Sequence, residues 1–271
     1  MSEAISFIIV LALSLAGGLA KAVGGALYGS KSLIVDATTC FANLVVALVM
    51  VLFYRLSLKA PDADHTYGHK RFRLASIAVA TSTYSLVLGV LVAYLFFSFR
   101  EKYVVETQAP VLATIGALFY GLAIMIGRRL GREGEVYAKY TYGEILESLV
   151  TVLASLGGSL YYYFIDLLGA VLLVVFWTVE TTKNMLTLVN IIAERVEPAL
   201  TMEVRKYLED KGYTVKSLRF RDVGDRLIGD LTIELPSYMS VEEAHEIAST
   251  VEKELAGRFR LEVTVHVEPK E

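Results

Sequence analysis

Up to Pro198 the chain is dominated by long apolar blocks, not by the short alternations of a soluble fold. A helix needs about 20 mostly apolar residues to cross the hydrocarbon core of a bilayer. Six stretches reach that length, near residues 5–28, 33–54, 74–99, 109–127, 142–164 and 166–191. Gly17, Gly18, Gly24 and Gly25 in the first stretch, and Gly157 with Gly158 in the fifth, predict close helix packing. The first stretch carries Lys21 and has no small-residue cleavage site, so it reads as a retained span and not a signal peptide.

Beyond Pro198 the pattern shortens and becomes amphipathic. It predicts a helix near 201–210, strands near 214–221 and 227–235, a second helix and a last strand. Ser240 and Glu243 form an S-x-x-E capping box that marks the start of the second helix. In the last strand Leu261, Val263, Val265 and Val267 alternate with Glu262, Thr264, His266 and Glu268, so one face is buried and the other wet. The order αββαβ is that of a ferredoxin-like α+β domain, a common architecture that says little about chemistry. The expected fold is a membrane all-α six-helix bundle over residues 1–197, followed by a C-terminal ferredoxin-like domain over 198–271.

Composition agrees with that division. The 271 residues are 55% hydrophobic and 20% charged, which excludes a disordered chain and an ordinary soluble enzyme. Residues 1–197 carry 15 basic and 14 acidic side chains, whereas 198–271 carry 11 and 15, so the soluble part is acidic. A net charge of -3 argues against nucleic acid as the partner. The single cysteine, Cys40, has no internal disulfide partner. Orientation follows from loop cations. Arg55, Lys59, Lys70, Arg71 and Arg73 lie between spans two and three, and Arg128, Arg129, Arg132 and Lys139 between spans four and five; the alternate loops offer only Lys31, Arg100 and Lys102. This asymmetry places both termini in the cytoplasm, in a multi-pass protein of the cell (inner) membrane.

An ionisable group inside a span is a functional candidate because a charge near the bilayer centre is costly. Asp36, Thr39, Cys40 and Asn43 share one helical stripe of the second span, and Tyr140, Glu144 and Glu147 share one of the fifth. Two such faces can build a cation site between them. Taken singly, Thr39, Cys40 and Tyr140 read as interhelical or interfacial hydrogen-bonding groups. The three carboxylates each have to be paired, protonated or bound to something. Lys21 is a rival partner for one of them. Asp166, Glu180 and Lys183 in the sixth span read as interface or helix-end charges.

A second cluster, Asp62, His65 and His69, lies in the basic loop after span two and holds two of the four histidines. Its D-x-x-H-x-x-x-H spacing lets a loop wrap one first-row metal ion, against the plainer reading of a solvated polar loop. His245, His266 and Glu268 form a weaker third set. The chain lacks a G-x-x-x-x-G-K-[ST] phosphate loop, an H-E-x-x-H motif and any nucleophile–base–acid constellation, so an enzyme is disfavoured.

The run Ser32–Asn43 and the run Pro61–His69 resemble the second span, and the loop after it, of the cation diffusion facilitator (cation efflux) family. The resemblance extends over nearly the whole chain. It implies a homodimeric exporter of divalent metal, usually zinc, that exchanges the metal for protons. It assigns Asp62, His65 and His69 to a loop metal and Arg71 with Glu194 to an interface ion pair. His245, His266 and Glu268 then match the cytoplasmic metal ligands in part. At the transport site the family has a His or Asp followed four residues on by Asp in spans two and five; here those positions are Thr39, Asn43, Tyr140 and Glu144. Such an oxygen-rich set suits magnesium, manganese or iron better than zinc, with Asp36 and Glu147 one turn away. The alternative is a non-transporting metal sensor or scaffold that has kept the fold and lost the site.

Overall fold

The computed structural model describes the backbone of residues 3–66, 68–127, 131–222 and 227–270, and the side chains of residues 8–66, 68–127, 143–221 and 227–270. Six long helices come first: α1 (Glu3–Tyr28), α2 (Lys31–Ser57), α3 (Phe72–Ser98), α4 (Gln108–Gly127), α5 (Gly131–Leu160) and α6 (Tyr163–Ile192). Each is long and apolar enough to cross a membrane. The chain divides into two compact units, Met1–Val51 with Val79–Asn184, and Leu52–Ala78 with Met185–Glu271.

One helix boundary departs from the hydropathy pattern. The fifth helix begins at Gly131, about eleven residues before the expected span, so Arg132 and Lys139 belong to a helix and not to a loop. The segment Gly131–Tyr140 is rich in Glu, Arg, Lys and Ala, which favour helix without being apolar. Hydropathy picks out only the more apolar C-terminal part of this helix.

Within the first unit the helices approach closely where side chains vanish. A Cβ on Gly17 would lie 2.9 Å from the Tyr120 ring, and one on Gly158 would lie 2.7 Å from the Asp166 Cβ. The N-terminus of α2 is fixed by a residue from another helix. Asp166, in the first turn of α6, is fully buried and accepts five hydrogen bonds. Its Oδ1 accepts from Ser30 Oγ (2.7 Å) and Ser32 Oγ (2.5 Å). Its Oδ2 accepts from the backbone N–H of Lys31 (2.7 Å) and Ser32 (3.3 Å) and from the Tyr103 hydroxyl (3.0 Å). Asp166 is thus a helix-end charge, as expected, and its carboxylate also satisfies N–H groups that the first turn of α2 leaves orphaned. Glu180 and Lys183 behave as expected, exposed and paired with each other at 3.1 Å.

In the second unit, α7 (Pro198–Asp210), β1 (Thr214–Asp222), β2 (Leu227–Pro236), α8 (Val241–Phe259) and β3 (Leu261–Lys270) follow in the expected αββαβ order. The sheet order is β1-β2-β3, with β1 antiparallel and β3 parallel to the central β2. Leu231 and Ile233 of β2 pack with Val204 and Leu208 of α7 and Val251 and Leu255 of α8 in one buried core. The capping box forms: Ser240 Oγ accepts from the Glu243 N–H, and the Glu243 carboxylate accepts from the Ser240 N–H. A register shift between Val215 and Ser217 interrupts the β1–β2 ladder.

Candidate functional site: buried carboxylates between α2 and α5

Four residues of α2 line up as their spacing predicted. Asp36, Thr39 and Cys40 are buried and Asn43 is half-buried. Glu144 and Glu147 are buried on α5, which passes α2 in the opposite sense. Asn43 Nδ2 donates to Glu144 Oε1 at 2.8 Å. One turn along, Thr39 Oγ1 lies 3.1 Å from Glu147 Oε2 and 2.8 Å from the Asp36 carbonyl. A turn further, Asp36 Oδ1 accepts from Lys21 Nζ at 2.8 Å, and the same ammonium donates to Ser148 Oγ at 2.7 Å. Cys40 Sγ lies 3.5 Å from Asp36 Oδ1. The side chain of Tyr140 lies outside the described residues.

Two residues absent from the sequence reading complete this layer. The Trp177 indole N–H, from α6, donates to Glu147 Oε1 at 3.2 Å. Ser148 holds Lys21, and its place one turn after Glu144 put it on the same helical stripe. No pattern in the sequence ties Trp177 to Glu147.

The donor set discriminates among the carboxylates. Glu147 Oε1 accepts from the Trp177 indole N–H, and its Oε2 shares the single Thr39 hydroxyl proton with the Asp36 carbonyl. Asp36 Oδ2 and Glu144 Oε2 are buried with no hydrogen-bond partner among the described residues. A buried carboxylate oxygen without a donor is unfavourable unless a proton or a cation sits on it. Glu144 is thus turned into the bundle, and it is bonded to Asn43 rather than to Lys21. The intramembrane acids do not converge on one point, however. Among the described residues the only three His, Cys, Asp or Glu side chains with donor atoms within 4.8 Å of one another are Asp62, His65 and His69.

That loop cluster is built locally. Asp62 Oδ1 accepts the backbone N–H groups of His65 (2.7 Å) and Asp64 (3.1 Å), folding the loop back on itself. The His65 N–H leads the interactions that hold the Asp62 carboxyl below the usual carboxylate range. Gly68, at φ +81°, makes the turn that returns His69 to the cluster. His69 is buried, stacks on Phe72 and places Nδ1 3.1 Å from the Ala60 carbonyl. With the proton on Nδ1, its Nε2 lone pair faces Asp62 Oδ2 at 3.3 Å, while His65 Nδ1 lies 3.3 Å from Asp62 Oδ1. A ring proton or a metal ion can satisfy each of these contacts, and the three donor atoms lie close enough together to share one ion.

The third set is not gathered. His266 Nε2 lies 3.9 Å from Glu268 Oε1, but the carboxylate is engaged by Lys216, which holds it below its usual range. His245 is exposed on α8 and does not join them in a three-donor group. Lys216 supplies the positive charge that a metal would bring. Arg71 Nη2 lies 3.9 Å from Glu194 Oε1, both side chains being exposed. Glu194 itself adopts a left-handed conformation (φ 53°) where α6 ends, with the Arg195 N–H reaching back to the Asn190 carbonyl.

Residues 7–190 match the family model of the cation efflux transmembrane domain, and residues 196–270 that of the cation efflux protein cytoplasmic domain. The chain belongs to the cation efflux family. Similar proteins include an uncharacterized transporter of Methanocaldococcus jannaschii, 24% identical over 93% of this chain and 93% of its own. The manganese efflux system protein MneP of Bacillus subtilis is 22% identical over 92% of this chain and 90% of its own. The magnetosome protein MamM of Magnetospirillum gryphiswaldense is 23% identical over 91% and 81% respectively. The solved structure of CzrB covers 28% of this chain and 99% of its own, at 30% identity and a TM-score of 0.27. Membership makes the protein a multi-pass membrane transporter of metal cations and not an enzyme, as the resemblance of its second span implied.

Proposed function

We propose that the protein is a homodimeric exporter of divalent cations from the cytoplasm, coupled to proton entry, with an oxygen-rich transport site between α2 and α5. The observation that carries this reading is Glu144: buried, fixed by Asn43 through one oxygen, and presenting a second oxygen with no partner among the described residues. Glu144 and Asn43 hold the ion, with Thr39, Tyr140 and Asp36 or Glu147 completing the shell as the helices shift. Carbonyl, hydroxyl and carboxylate oxygens without an imidazole favour manganese, magnesium or iron(II) over zinc. That two relatives are named manganese efflux proteins supports the same preference. Loop cations support cytoplasmic termini in the inner membrane, and Arg71 with Glu194 serves the dimer interface.

The test is flux in proteoliposomes loaded with a pH indicator and offered Mn²⁺, Fe²⁺, Co²⁺, Zn²⁺ or Mg²⁺. Mn²⁺ uptake with opposite proton movement, and slower Zn²⁺ uptake, is expected. A scaffold without transport is the second reading, motivated by the lack of a three-donor cluster among the intramembrane acids. Failure of all five ions to move establishes it.

Asp62, His65 and His69 hold a resident metal that ties the loop, and this role is separable from transport. Coordination by Asp62 needs its carboxylate ionised, and the interactions that hold it below the usual carboxylate range keep it so at neutral pH and below. Titrating Zn²⁺ into the full chain and into Asp62→Asn checks this. The variant is expected to lose about 10-fold or more of the affinity at neutral pH, in line with other losses around a metal; an unchanged affinity contradicts the assignment.

A further inference from the structure

Lys21 plays no part in the reading above, yet its surroundings are built for it. It is fully buried in the apolar α1. Its ammonium takes partners from three other helices: Asp36 Oδ1 at 2.8 Å on α2, Ser148 Oγ at 2.7 Å on α5, and the face of the Tyr120 ring, 4.6 Å away, on α4. Cys40 Sγ lies 3.6 Å off. Gly116 clears the stem, since a Cβ there would stand 2.8 Å from Lys21 Cγ. A carboxylate, a hydroxyl and an aromatic face are what a free ammonium ion would seek.

The pair is not closed in the manner of a purely structural bridge, in which every lone pair finds a donor. The buried oxygens lacking a partner among the described residues are Asp36 Oδ2, on the very carboxylate that Lys21 binds, and Glu144 Oε2. One oxygen of Asp36 is therefore occupied by a positive charge belonging to the protein, and the other is not.

We propose that Lys21 is a tethered monovalent cation of the transport site. It permanently fills the Asp36 Oδ1 position and offsets one of the three buried carboxylate charges, leaving two for a divalent ion that binds at Glu144 and that Asp36 Oδ2 joins as the helices shift. This makes Lys21 a specificity-determining residue, and it rests on the assignment of the cargo to Glu144. Without the ammonium, the Asp36 end holds an unbalanced charge and an ammonium-sized space lined by Ser148 and Tyr120. A small monovalent organic cation fits that space, and a bulky one does not.

The experiment measures Mn²⁺ uptake by reconstituted full-length protein at equal pH on both sides, each variant being referred to wild type in the same amine. Lys21→Ala is expected to lose roughly tenfold or more of the rate, and to recover most of it in methylammonium but not in tetramethylammonium. Lys21→Arg, which keeps the charge, is expected to retain most of the rate. Wild-type uptake by Lys21→Ala without amine overturns the proposal, as does slow uptake that methylammonium leaves unchanged in monodisperse protein. Should Lys21→Ala not yield monodisperse protein, the double variant Lys21→Met, Asp36→Asn decides, because it replaces the pair with neutral groups of similar size. A mere strut predicts full uptake from it, whereas the proposal predicts a loss of about tenfold or more because the Asp36 ligand has gone. Normal uptake by Glu144→Gln removes the underlying site whatever the Lys21 variants do, so the two failures are distinguishable.

Discussion

Glu144→Gln is expected to abolish metal uptake while leaving the protein folded. The glutamine carbonyl can still accept from Asn43 Nδ2, so the 2.8 Å interhelical bond survives. The other atom changes sign in effect: an amide –NH₂, which only donates, replaces the buried Oε2 that has no partner among the described residues. A donor cannot ligate a cation, and the substitution also removes a unit of negative charge. Loss of a residue that merely supports a metal ligand costs about 10–100-fold, so loss of the ligand itself is expected to exceed about 100-fold in initial rate. Uptake rate and thermal unfolding of the purified variant, read together, check the prediction. A variant that transports within a fewfold of wild type places the ion elsewhere.

Asp166→Ala has an effect of comparable size on a different quantity. Five donors converge on this carboxylate: two serine hydroxyls, two backbone N–H groups of α2 and the Tyr103 hydroxyl. The alanine leaves them facing a cavity away from water. Each buried donor left without a partner costs about 1–3 kcal/mol, so stranding several of these neutral donors at once destabilises by about 3 kcal/mol or more. The expected result is a large drop in melting temperature and in yield of folded protein. Metal affinity of whatever protein survives should be unchanged, because the hydrogen-bond partners of Asp166, namely Ser30, Lys31, Ser32 and Tyr103, include none of the candidate ligands. A variant with wild-type melting behaviour contradicts the role given to Asp166.

What could be read from the sequence follows the range of the forces involved. The six spans were legible because burial in lipid demands an unbroken apolar run, and the Ser240–Glu243 cap and the alternation of β3 because both are local patterns. The Asp62, His65 and His69 cluster closes within a few residues, so spacing sufficed. The stripes on α2 and α5 were also visible, but not which carboxylate would be satisfied. That depends on Trp177 reaching Glu147 and Lys21 reaching Asp36 across the bundle, and tertiary pairing leaves no mark at either position. The helix-end place of Asp166 was legible too, but not its partners, most of which lie more than 130 residues away at the start of α2. For the third set, His245, His266 and Glu268, the spacing did not reveal that Glu268 pairs with Lys216.

The central claim is that a divalent cation is held between α2 and α5 by Glu144. Anomalous diffraction from protein crystallised with Mn²⁺ tests it most directly, since the signal identifies and locates the ion together. The account predicts a manganese peak at coordination distance from Glu144, absent from crystals of Glu144→Gln. Manganese found only at Asp62, His65 and His69, with the intramembrane carboxylates bare at saturating ion, would contradict it.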